Sequence, residues 1–555
     1  MKDINTPNGF VCTGLKSVYP EMAGIDPKTL LTGLPLYDTL HFVIERQKKV
    51  MYCYGNQEEE INLVYEMYQY LGDDAKQRLA FQIADNPRQC LFFCTATFQF
   101  IMLAIQVCEQ DSRKLTNDEI LKVYQAYMYC NDYWSDKQAD GIHPLAMDKN
   151  LPGMYLMADV PIVEFKNFKD FKPQLYKAWR LFEFMSSHNP YNDYLNMFLN
   201  RQGVSSWQEY LSSIFSFYTQ IINKPIVKIE EEYKTHRYFF DALCVKLQDC
   251  KTIWDDHDMK YLRNHPLIKI SDCYYMVLND NLLVDRIYQC LKFQIFEAML
   301  DKKACNAKGK VYSKDDYGNF SGNLGEDFSE SEIFYHIIEK AFDGIADRLI
   351  RGNDMKKEKV PAEPDYYMRI GDKVFLFEYK DNTISDDDKQ STDYNYVKEV
   401  ILSRICKDDG RTRKGAGQLL NSMNEMVNKN SLDNFDDEAK NAKIIYPIVV
   451  TTDRTFSALG IQYHMVERFS KIIENWNIPT FVRIPMVLDL DTLVLMSKRI
   501  HDRQISFVDV VEQYLNLNDL HLASFETFYT DYYRELKDMT PDDIAFLYGD
   551  MLAAM

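Results

Sequence analysis

The chain has 555 residues, 46% hydrophobic and 26% charged, with 38 Tyr, 33 Phe and 5 Trp. That length has room for roughly three to four domains, and that composition excludes a mainly disordered chain. The net charge of −19 excludes a global basic field, so any contact with nucleic acid must come from a local patch.

Met1 to Asn5 shows no basic stretch leading into an apolar run, so no secretory signal is expected. The 12 Cys are dispersed with no Cys-x-x-Cys, which predicts reduced thiols in a cytoplasmic protein rather than a zinc ribbon. Residues 90–108 carry no charge, but Thr95, Thr97, Gln99 and Gln106 dilute the stretch. It reads as a buried helix, with no membrane association.

Residues 1–300 read as a mostly α-helical sensing or oligomerisation domain. Ile61, Val64, Met67 and Leu71 recur at helical spacing behind Glu58-Glu59-Glu60. Thr116 to Glu119 forms a capping-box pattern ahead of Ile120 and Val123. Trp207 opens a further run with Leu211 and Ile214 behind it. Residues 301–327, rich in Lys, Asn, Asp and Gly, have linker composition. After them helices alternate with strands: a helix near 329–346, strands at 365–370 and 373–380, an interrupted helical stretch over 392–429, a strand from Ile444 to Val450, a helix near 461–475 and a strand near 480–488. Such alternation predicts an α+β or α/β layer domain over 328–490. Residues 491–555 read as a helical extension, with a helix start at Thr540-Pro541.

The chemistry concentrates in one hairpin. Gly371-Asp372 suits a two-residue type II′ turn, whose register pairs Ile370 with Lys373 and therefore sets Asp365 opposite Glu378. Lys380, two residues on, projects from the same face. Two opposed carboxylates destabilise a sheet unless a cation lies between them, and carboxylate oxygen suits Mg²⁺ or Mn²⁺. A neighbouring lysine could position or help deprotonate a water held there, which is a design for phosphodiester hydrolysis.

Pro364-Asp365 followed by Glu378-Tyr379-Lys380 at the end of an apolar strand resembles the PD-(D/E)XK nuclease superfamily. The resemblance covers roughly residues 325–490. It implies a restriction-endonuclease-like core, a mixed central sheet flanked by helices. It further implies that Asp365, Glu378 and the Tyr379 carbonyl bind the metal and that Lys380 serves the nucleophilic water; the expected partner is nucleic acid, DNA ahead of RNA, although the sequence itself does not distinguish them. The superfamily usually adds a glutamate from the preceding helix. Glu332 is the candidate, although Ser329 to Glu332 is itself a capping box, and Glu339 is the fallback. Gln418 corresponds to a glutamine many members carry on the following helix. Glu363 reads as a neighbour within reach of a second metal.

Arg411, Arg413 and Lys414, just ahead of a glycine-rich helix start, are the preferred phosphate contacts. Arg348, Arg351, Lys356, Lys357 and Lys359 form a second basic cluster. Trp254 to Asp258 surrounds a histidine with acids but lacks a second histidine at ligand spacing, and reads as a polar loop. The expected protein is thus a metal-dependent nuclease with a helical half that senses, restrains or oligomerises, an arrangement that by fold-level analogy suits a bacterial anti-phage defence effector. The alternative is a catalytically silent nucleic-acid-binding or scaffold protein that keeps the nuclease fold.

Overall fold

The computed structural model describes residues 11–52, 56–221, 224–229, 237–248, 260–306, 309–478, 480–517, 521–533 and 540–554. Trp254 to Asp258 and Met1 to Asn5 lie outside the described residues.

The N-terminal half is predominantly helical. Helix α1 (Cys94–Val107) is the uncharged stretch, and its side chains from Cys94 to Ile105 are all buried. Thr97 is satisfied inside the protein: its Oγ1 lies 2.6 Å from Gln47 Oε1 and 2.6 Å from Tyr127 Oη. Among the described residues no helix is long and apolar enough to cross a membrane. Helix α2 (Asn117–Met147) opens with the expected capping box, with Thr116 and Glu119 satisfying each other's backbone N–H groups. This half also holds a small antiparallel sheet of Ile226–Lys228, Tyr274–Val277 and Leu267–Lys269, and a parallel pair, Val11–Cys12 with Gln89–Cys90. Helices α3 (Phe171–Ser187) and α4 (Leu291–Asp301) carry this half onto the next.

The stretch 301–327 is not a linker. A 3₁₀ turn at Lys314–Asp316 leads into a helix, Tyr317–Leu324, which runs on through a π-helical segment, Gly325–Tyr335, into α5 (His336–Phe342). Phe320, Leu324 and Phe328, spaced four apart, are buried and pack against aromatic side chains of the N-terminal half. Phe184 lies 5.3 Å from Phe328 and Phe296 lies 5.3 Å from Phe320, ring centre to ring centre. This burial outweighs the low helix propensity of Gly318, Gly322 and Gly325.

Beyond it lies a six-stranded mixed sheet. Strands β1 (Arg348–Arg351), β2 (Tyr366–Ile370) and β3 (Lys373–Lys380) form an antiparallel meander. Strand β4 (Ile444–Thr451) joins β3 in parallel, and β5 (Phe481–Val482) and β6 (Met486–Asp489) pair with β4 in parallel. The last two replace one expected strand because Pro485 interrupts the ladder between them. One short helix, α6 (Gly352–Lys357), follows β1. The interrupted helical stretch resolves into α7 (Tyr394–Ile405), a hairpin of Cys406–Asp408 with Arg413–Gly415, and α8 (Ala416–Lys429). Gly415 has φ +57, and a Cβ there would stand 2.0 Å from the Ile405 carbonyl oxygen, so only glycine fits. Helices α9 (Ile461–Ile473) and α10 (Leu490–His501) follow.

Alternation along the strands builds two apolar faces. Tyr366, Met368, Phe375, Phe377, Tyr446 and Ile448 belong to a core shared with α3, α4, α5 and α10. Tyr367, Val374, Leu376, Ile445 and Val449 belong to a second core with α7, α8 and α9. The first core runs from Phe171 to Tyr548, so residues 491–555 are part of it rather than an appended tail.

Candidate functional site

The hairpin register is the expected one: Ile370 pairs with Lys373 and Tyr366 with Phe377. Gly371 has φ +62, as the first turn position of a type II′ loop requires. Asp365, just before β2, therefore meets the end of β3, and its Oδ2 accepts a hydrogen bond from the Tyr379 N–H at 2.7 Å. Glu378 is fully buried. The Lys380 ammonium donates to Glu378 Oε1, while Glu378 Oε2 is buried with no hydrogen-bond partner. In the parallel register Lys380 pairs with Thr451 on β4, whose hydroxyl is likewise buried and unpartnered. Asp365, Glu378, Tyr379 and Lys380 are thus together.

The electrostatics are strained in one direction. Burial, then the negative charge of Glu330, raises the Asp365 carboxyl to about 7 against the opposing pull of Lys380. Burial, then Asp365, pushes Glu378 well above the usual carboxylate range. Burial works against charge on Lys380, but Glu378 and Asp365 outweigh it and hold the ammonium above its ordinary value. Lys380 is thus held toward its protonated form beside the two carboxylates.

The helix carboxylate that faces this pair is Glu330, not Glu332. Glu330 accepts a hydrogen bond from the Tyr335 hydroxyl and acts on Asp365, Glu378 and Lys380 alike. Glu332 turns to α3, where Arg180 pairs with its carboxylate at 2.7 Å and its carbonyl at 3.1 Å. Residues two apart on a helix do not share a face. Nor is Ser329 a cap: it lies inside the π-helical segment and donates to Asp381 at 2.6 Å. Glu339, the fallback, is held by Arg351 in a two-bonded pair at 2.5 and 2.6 Å. Glu363 is half-buried and close enough to add to the charge on Asp365.

Gln418 is half-buried near the start of α8. Its helix covers the strand face from which Glu378 and Lys380 project, although Gln418 has no recorded bond to either. In the basic hairpin, Arg413 pairs with Asp408 at 3.1 Å and sits over Trp476, while Arg411 is exposed.

Asp381, directly after Lys380, went unsuspected. It accepts from Lys292 of α4 at 2.6 Å, from Ser329 at 2.6 Å and from Thr452 at 2.8 Å. Burial opposes its ionisation, but these partners hold the carboxyl at about 2. This clasp ties the end of β3 to the N-terminal half.

Among the described residues no three His, Cys, Asp or Glu side chains close into a metal-binding group by themselves. The oxygen donors brought together are the Asp365 and Glu378 carboxylates, with Glu378 Oε2 left without a partner. That is the partial oxygen shell that Mg²⁺ takes while keeping waters. A cation there would relieve the repulsion that raises Asp365 and Glu378. Comparison with known proteins adds nothing further: no family model, no curated protein and no solved structure matches this chain significantly.

Proposed function

We propose that this chain is a Mg²⁺- or Mn²⁺-dependent nuclease of the PD-(D/E)XK kind, a DNA endonuclease. The observation that carries the reading is the pair of half-buried Asp365 and buried Glu378 beside Lys380, with Glu378 Oε2 left without a partner. The mixed sheet and the order helix, hairpin, helix, strand support it. Asp365, Glu378 and the Tyr379 carbonyl would hold the divalent cation, which supplies Lewis-acid stabilisation of phosphoryl charge and a more acidic water.

The chain's own groups do the rest. The Tyr379 N–H fixes the orientation of Asp365. Lys380, kept protonated, offers its N–H groups to the attacking water or to a phosphoryl oxygen. Glu330 adds negative charge that favours cation occupancy and can accept a proton near the nucleophile. On this reading the helical half restrains or oligomerises the nuclease, and a role in defence against foreign DNA follows only by analogy of architecture.

The test is cleavage of plasmid, linear duplex, single-stranded DNA and RNA with Mg²⁺, Mn²⁺ or EDTA, alongside Glu378→Ala and Lys380→Ala. Cutting that needs the metal and both side chains is expected. Binding of nucleic acid by the folded protein with no metal-dependent cutting would mean the silent scaffold instead.

A further inference from the structure

A cleft of about 470 Å³ is lined by Tyr335, Arg351, Asn353, Asp354, Lys356 and Lys357 among others. That is the size of a nucleotide-scale site. Two observations join it to the candidate centre. Tyr335, on one wall, donates its hydroxyl to Glu330, which faces Asp365 and Glu378. Gly352, at the start of α6 on the other wall, donates its N–H to the Asp365 carbonyl at 2.8 Å. A Cβ at position 352 would stand 2.6 Å from the Pro364 carbonyl oxygen, so the glycine lets α6 sit directly against the strand that bears Asp365. Met355, buried, anchors the helix from below.

The charge in this cleft is not all neutralised. Arg351 is committed to Glu339. Lys357 pairs with Asp354 at 2.9 Å, but that lysine is 75% exposed, and such a surface pair exchanges readily for a phosphate. Lys356 is exposed and has no carboxylate partner among the described residues. In a chain of net charge −19, a groove that presents one unpaired lysine and one loosely paired lysine near the proposed centre is a place where a polyanion gains. In the basic hairpin at 406–415 Arg413 is paired with Asp408 and Lys407 with Asp409, and what sets the cleft apart is its connection to Asp365 through Gly352 and to Glu330 through Tyr335.

From this geometry we infer that the cleft between Tyr335 and α6 is the track of the nucleic-acid backbone, with Lys356 and Lys357 contacting phosphates that flank the one held at Asp365 and Glu378. The inference takes its ligand class from the nuclease reading. The contacts are to phosphate, so they are indifferent to base sequence.

The experiment is fluorescence-anisotropy titration of labelled duplex and single-stranded oligonucleotides over a salt series, with Ca²⁺ replacing Mg²⁺ so that binding is read without cleavage. The full chain is compared with Lys356→Gln/Lys357→Gln, with Lys356→Glu alone, and with Arg411→Gln/Lys414→Gln. Loss of two phosphate contacts is expected to lower the slope of log K against log salt by about 2 and to weaken binding about tenfold at low salt, equally for all sequences. Lys356→Glu is expected to weaken binding in the same direction, and the hairpin variant to lose less than the cleft variants. An unchanged slope in the cleft variants, a loss confined to the hairpin variant, or no binding by the wild type would overturn the inference. Cleft-dependent binding without any metal-dependent cutting would sink the nuclease reading alone. Metal-dependent cutting with cleft variants of unchanged slope would sink the inference alone.

Discussion

Asp365→Asn is expected to stabilise the metal-free protein at neutral and alkaline pH and to erase its response to divalent cations. In the fold this carboxyl titrates at about 7 instead of 3.8, through burial and the charge of Glu330. A displacement of roughly three pH units is worth about 4 kcal/mol. Because the folded pKa is the higher one, the folded chain binds the proton more tightly than the unfolded chain. The contribution is complete below about pH 4 and is lost as pH rises to about 7. Above that, the wild-type fold carries the full cost of an ionised Asp365. Asparagine is neutral throughout, and its amide oxygen still accepts from the Tyr379 N–H. Asp365 is partly exposed, and solvent screening reduces the recoverable part to about 2 kcal/mol. Thermal unfolding in EDTA over a pH series reads the effect, with a gap between variant and wild type that widens as pH rises and then levels. Adding Mn²⁺ at about a hundredfold excess over Kd should stabilise the wild type by about 3 kcal/mol and the variant by little. A variant no more stable than wild type at alkaline pH, or equal stabilisation of both by Mn²⁺, would refute the reasoning.

Two other substitutions separate the neighbours of the site. Glu330→Gln should lower metal-dependent cleavage by about 10- to 100-fold, as loss of a supporting charge at a metal site does, whereas Glu332→Gln should leave initial rates unchanged and only loosen the contact with Arg180. Asp381→Asn strands the Lys292 ammonium, whose side chain is 9% exposed, and should cost about 3–5 kcal/mol in urea unfolding. Since Asp381 sits at about 2, below its ordinary 3.8, the wild-type contribution is present above about pH 4 and lost as pH falls towards 2. The double change Asp381→Asn/Lys292→Met should recover much of the loss.

The hairpin was legible because its information is local: Gly371-Asp372 sets the register, and the register alone brings Asp365 to Glu378. The helix glutamate was not. The pattern Ser329 to Glu332 imitates a helix start, and reading it so places the wrong residue toward the strands. The helix in fact begins at Tyr317, and the spacing of Phe320, Leu324 and Phe328 carried that signal beneath a surface of glycine and asparagine. Strand β1 has only Leu349 and Ile350 as apolar residues between two arginines, too short a pattern to register. Asp381 looked like the first residue of a loop, because its partner Lys292 is 89 positions away and nothing nearby in the chain announces it. The small antiparallel sheet around Tyr275 was hidden for the same reason, its strands being three and four residues long.

The core that begins at Phe171 closes only with the helix Pro541–Ala554. Tyr548 donates its hydroxyl to the Lys172 carbonyl at 2.5 Å, across 376 residues of chain. During synthesis, then, α3 emerges long before the side chain that covers it, and β3 emerges before α10. At ribosomal rates of about 5–20 residues per second, the half-built core waits on the order of 20 seconds or more for its last wall.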